Sequence, residues 1–99
     1  MNKIEKRVSE IRQRPGLYLG HKSLVALRHY LNGYIDGINL NNDGVLESFY
    51  PGFQEFIQDR YHITSTHGWA EIIIFYSQSD EKAFDRFYEL LNEFLEKTK

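Results

Sequence analysis

The feature that most constrains folding is the apolar stripe that follows Ser79. Phe84, Phe87, Tyr88, Leu91, Phe94 and Leu95 recur at three- and four-residue steps, so a helix gathers them on one broad face. Ser79 is suited to cap that helix, Asp80 and Glu81 fall in its positive first turn, and Lys97 and Lys99 fall at its negative end. A face this wide is stable only when other elements cover it.

The rest of the chain supplies helices to do so. Ile4, Val8 and Ile11 fall at i, i+4 and i+7 and predict a helix over 3–14, ended by Pro15. Leu24, Leu27, Leu31, Tyr34, Ile35 and Ile38 form a second helical stripe, with Ser23 as its N-cap. Gly33 and Gly37 lie four apart inside it, and their cost of about 1 kcal/mol each predicts close approach of another helix. Residues 39–44 read as a loop. A third helix follows, with Pro51 near its first turn and Phe53, Phe56, Ile57 and Tyr61 on its face. The run 69–76 fits a helix through Trp69, Ile72, Ile73 and Tyr76, and it also fits a buried strand. The helix is preferred because the strand has only poor partners in 17–19 and 45–50. The expectation is one all-α domain over 1–99, a compact array of four or five helices. The alternative is an α+β fold with a small sheet including 69–76.

Composition limits the chemistry. The chain has 99 residues and no cysteine, which removes disulfides, thiolate metal sites and a cysteine nucleophile. The four histidines match no metal-binding spacing. No GxSxG motif accompanies the serines. Glu81, Asp85, Glu89 and Glu93 follow at i, i+4 steps and read as a solvated stripe, because paired catalytic carboxylates need a cleft. An enzyme therefore ranks last, and no catalytic residue, cofactor or metal ligand is assigned. With no apolar run near 18 residues and no apolar signal core after Met1, the expected location is the cytoplasm, with no membrane partner.

Charge is uneven. Residues 1–30 carry seven basic side chains against two acidic ones, and 31–99 carry five against twelve. A basic front end suggests nucleic acid, with Lys3, Arg7, Arg12 and Arg14 on phosphates. The pI of 6.1 opposes that partner. Mutual neutralisation of the two halves is the preferred account.

The segment Arg14-Pro15-Gly16-Leu17-Tyr18-Leu19-Gly20 reads as a helix stop and an extended connector that drops Leu17 or Leu19 into the core. It resembles the RPGMYIG segment of the DNA gyrase type of ATPase domain over about seven residues. That resemblance implies a following helix with a catalytic glutamate and a magnesium-binding asparagine, then an Asp-x-Gly-x-Gly motif. Here Asn32 and Asp36 follow, no glutamate precedes Glu47, and Asp36-Gly37 and Asp43-Gly44 stand alone. Nucleotide binding is therefore not expected, and the segment is read as a structural turn.

Along the whole chain, an N-terminal helix, RPGxYLG, a Gly-Tyr helix, the aromatic segment 53–61, a Gly-Trp step and a Phe/Leu-rich final helix resemble a group of small uncharacterised bacterial proteins. Some short proteins of this kind act as immunity proteins that neutralise a neighbouring toxin. The resemblance implies a protein-binding module whose partner is a basic toxin domain, or a homodimer. Tyr18, Tyr30, Asp36, Asp43 and Tyr50 are the candidate partner-binding residues: tyrosines outside the stripes, and acids that would complement a basic partner.

Overall fold

A computed structural model describes residues 2–40, 48–64 and 66–98. The described residues form helices alone: α1 (Lys3–Gln13), α2 (Pro15–Leu19), α3 (Leu24–Leu40), α4 (Phe53–Arg60), α5 (Trp69–Phe75) and α6 (Asp80–Lys97). The long helix α6 is central. It packs against α3, α4 and α5, while α1 lies on α2 and α3. Its buried face, from Ala83 and Phe84 through Phe87, Tyr88, Leu90 and Leu91 to Phe94, joins Ile4, Val8 and Ile11 of α1 and Leu24, Leu27 and Leu31 of α3 in one core. The stripe after Ser79 is thus internal, apart from Leu95, which lies at its edge and is exposed.

The helix ends follow local chemistry. Asn2 and Glu5 form a reciprocal capping box on α1. Ser79 accepts from the Lys82 N–H and caps α6, as its sequence position predicts. Ser23 accepts from the Ala26 N–H, as an N-cap does.

Four expectations need correction. The 16–20 connector is helical rather than extended. Proline at the first position of α2 needs no N–H partner and has a helical φ already. Gly20, at φ 83°, ends the turn in the left-handed region, with its N–H on the Gly16 carbonyl. This added turn makes six helices where four or five were expected. It also leaves Leu17 69% exposed, and Tyr18 and Leu19 are the residues that pack against the core.

Second, Gly33 and Gly37 admit no close neighbour: a Cβ on either would meet nothing within 4 Å among the described residues. Third, Pro51 precedes α4 rather than entering its first turn. Gly52, at φ 89°, is the N-cap, a conformation costly for any side chain. Fourth, the loop expected from 39 begins later, since Asn39 and Leu40 complete α3; residues 41–44 lie outside the described residues.

The run 69–76 is a helix through Phe75, so the small sheet is not formed. Ala70, Ile72 and Ile73 are buried against the core. Tyr76 was expected on the buried face but is 53% exposed.

Two phenols in the packed interior make a pH prediction. Tyr88 donates to the Val8 carbonyl at 2.7 Å, and burial pushes its pKa up. Tyr50 is pushed up to about 12, chiefly by burial and secondarily by the Glu5 carboxylate. Both values stand above the unfolded phenol value of about 10. Below pH ~10 both phenols are protonated in folded and unfolded chains, and their contribution is fully present. As pH rises from about 10 towards 12 the unfolded chain ionises first, and stability is lost. Urea melts across that range should show the loss, and Tyr50→Phe and Tyr88→Phe should each flatten it. An alkaline loss unchanged in both variants would contradict the assignment.

Candidate functional site

Helix α5 is more apolar than one buried face requires. In Trp69-Ala70-Glu71-Ile72-Ile73-Ile74-Phe75, helical geometry turns Ala70, Ile72 and Ile73 inward. Consecutive apolar residues cannot all point one way at about 100° per residue. Ile74 is therefore half-buried and Phe75 is 78% exposed. With Ile63 and His67 from the α4–α5 connection, and with Glu71, Ile72 and Tyr76, these residues line an open groove of about 500 Å³.

The groove is held from three sides. Tyr76 stacks on Tyr61 with ring centroids 4.9 Å apart. The Gln54 side chain donates to the His67 carbonyl at 3.0 Å and accepts from the Trp69 N–H at 2.7 Å, which pins the connection to the start of α5. Glu71 pairs with Arg28 of α3 at 2.6 Å. The anionic group of the wall is thus neutralised from a neighbouring helix.

The candidate partner-binding residues lie elsewhere and apart. Tyr18 and Tyr30 meet edge to face at 6.1 Å, and Tyr30 stacks on Tyr34. Their common occupant is Arg7, which lies 5.0 Å from the Tyr18 ring centre and 4.7 Å from that of Tyr34. Arg7 also donates to the Tyr30 hydroxyl and, at 3.0 Å, to Glu10. Tyr50 sits in a separate place, edge-on to Phe49 and Phe94. Asp36 is exposed on α3, and Asp43 lies outside the described residues.

The tyrosine cluster predicts an effect on stability. A guanidinium between two rings and a phenol is matched in shape as well as charge. Arg7→Ala should cost about 1–2 kcal/mol by denaturant melts, after allowance for its partial exposure. Arg7→Lys should recover less than half, because a compact ammonium cannot stack on both rings and reach Tyr30. Equal melts for all three proteins would show that solvent holds Arg7 as well as the rings do.

The charged residues are largely engaged with one another. On the exposed face of α6, Asp85 pairs with Lys22 at 2.7 Å, Glu89 with Arg86 at 3.0 Å, and Glu93 with Arg60 at 3.6 Å. Lys22 and Arg28 of the basic front end thus meet acids of the later helices. Arg12 lies over the Tyr88 ring at 5.4 Å, on a different side of α1 from the Arg7 cluster. Lys3, Lys6 and Arg14 are exposed.

Among the described residues no three metal-ligating side chains gather in one place. None of the described helices is long and apolar enough to cross a membrane. No family model matches the chain, and no curated protein or solved structure matches it significantly.

The residues of the α5 groove were missed by sequence reasoning. Phe75 and Ile74 belong to a run in which periodicity marks the buried face and says nothing of apolar residues left over. The available signal was that surplus: apolar residues at every position of 72–76, more than one helix face can hide.

Proposed function

We propose that this chain is a small protein-binding module and that its contact surface is the groove along α5. The observation that carries this reading is the exposure of Phe75 and Tyr76 beside an apolar hollow. Large exposed apolar patches on small domains mark interaction sites, and aromatic residues are enriched in interface cores. The pairing of Glu71 with Arg28 supports it further. A partner closing the groove would not bury an uncompensated carboxylate there.

In the immunity-type form of this reading, the partner is a basic toxin domain. The acidic residues of α6 would then guide its approach and the groove would hold it. The alternative, nucleic-acid binding by the basic front end, would rest on Lys3, Lys6 and Arg14.

Two variants separate these readings. Purified wild type, Phe75→Glu and the triple variant Lys3→Ala/Lys6→Ala/Arg14→Ala would be used to capture proteins and nucleic acid from the native host. The expected result is protein capture lost in Phe75→Glu and kept in the triple variant. Capture indifferent to Phe75→Glu would overturn the groove. Nucleic acid retained by wild type and lost in the triple variant would favour the alternative.

A further inference from the structure

Resting on the reading of the α5 groove as a protein-binding surface, we infer that its occupant is a second copy of this chain, in a two-fold pair where each Phe75 enters the other copy's groove. Three observations carry this.

The first is shape. The ring of Phe75 is 78% exposed and stands at the edge of a hollow of about 500 Å³ that it helps to line. A two-fold interface requires one patch to complement itself. A projecting ring beside an apolar hollow meets that condition, because one rotation places both rings in both hollows. Ile63 and Ile74 then face the incoming ring, and Tyr76, backed by Tyr61, borders it.

The second is charge. The net charge is −2 with a pI of 6.1, so two copies repel only weakly near neutral pH. Like charges directly opposed across a two-fold axis would be costly. Glu71, the carboxylate that lines the groove, is neutralised within its own copy by Arg28 at 2.6 Å.

The third is area, which sets the strength. Phe75 and Tyr76 together offer on the order of 200–300 Å² per copy before the aliphatic rim is counted. A standard stable interface buries about 800 Å² per partner. The pair therefore belongs to the small, weak class and is concentration-dependent, with exchange between monomer and dimer in the range of about 10 µM to 1 mM.

Sedimentation of the full chain from about 10 µM to about 1 mM tests this. The expected result is a mass rising from the 11.8 kDa monomer towards twice that value. Phe75→Glu should weaken association by roughly thirtyfold or more, as loss of a central interface anchor does. Phe75→Trp should retain it. Phe75 is exposed, so both variants should melt as wild type does. Amide chemical shifts that move on dilution should cluster in residues 63–76.

A wild type that stays monomeric at about 1 mM overturns the pair. So does association that Phe75→Glu leaves unchanged, which would place the contact elsewhere. If the chain is monomeric while capture of a foreign protein still depends on Phe75, the pair fails and the groove reading stands. If Phe75→Glu alters neither association nor capture, both fail.

Discussion

Phe53→Ala should destabilise the protein by about 3–5 kcal/mol, the full range seen for removing a buried aromatic ring. Phe53 opens α4, is fully buried, and is the hub of the aromatic core. Its ring centre lies 5.5 Å from both Trp69 and Phe94, 5.7 Å from Phe49 and 5.8 Å from Phe87, each edge to face. One substitution therefore loses contacts with α5, α6 and the segment before α4. Edge-to-face pairs add about 0.5–1.5 kcal/mol each beyond burial, although they do not sum when one ring serves them all. The neighbours that would have to collapse into the space are themselves rigid rings, so relaxation recovers little. A domain of this size has about 5–15 kcal/mol in total, and the melting temperature should fall by roughly 15–30 °C. Phe56, on the same helix but only partly buried, is the control: Phe56→Ala should cost about 1–2 kcal/mol. Similar losses for the two would mean that the core is not centred on Phe53.

That core was largely legible in the sequence, because burial on a helix leaves a period. Ile4, Val8 and Ile11, Phe53 and Ile57, and Phe87, Leu91 and Phe94 are all buried where the stripes place them. The helix at 69–75 was legible only as a preference, since a short apolar run fits either period. What favours helix is packing: α5 lies in contact with α3, α4 and α6. Helix α2 was not legible, because five residues are too few to show a period. The tyrosines were half legible. Tyr18 and Tyr30 stood outside the stripes and do meet, but around Arg7, a residue that charge alone had suggested for phosphates. The groove escaped because hydrophobic patterning locates what must be hidden, and Phe75 is what remains after hiding is complete.

Asp80 was misjudged for a different reason, and its substitution should have the second large effect. In the sequence Asp80 and Glu81 look equivalent, two acids in the first turn of α6. The structure separates them. The Asp80 carboxylate reaches the start of α3, where it accepts from the Leu24 N–H at 2.8 Å and the Val25 N–H at 3.0 Å. The Ser23 hydroxyl also donates to it. Ser23 in turn accepts from the Ala26 N–H at 3.0 Å, and the Leu27 N–H bonds to the Ser23 carbonyl. All four leading N–H groups of α3 are thereby satisfied, two of them by a residue 56 and 55 positions away. The carboxylate also lies at the positive ends of two helices at once. Asp80→Ala removes a charged acceptor from three donors, at a cost of about 2–3 kcal/mol given partial exposure of the site. Asp80→Asn keeps one acceptor oxygen and should lose about half as much. Glu81→Ala, at an exposed position, should change stability by no more than about 0.5 kcal/mol. Urea melts of the three variants decide the matter. Hydrogen exchange adds a site-specific test, since Asp80→Ala should speed exchange at Leu24 and Val25 far more than at Lys82, whose N–H is held by Ser79. Equal losses for Asp80→Ala and Glu81→Ala would reduce Asp80 to a first-turn acid of its own helix and leave α3 uncapped from α6.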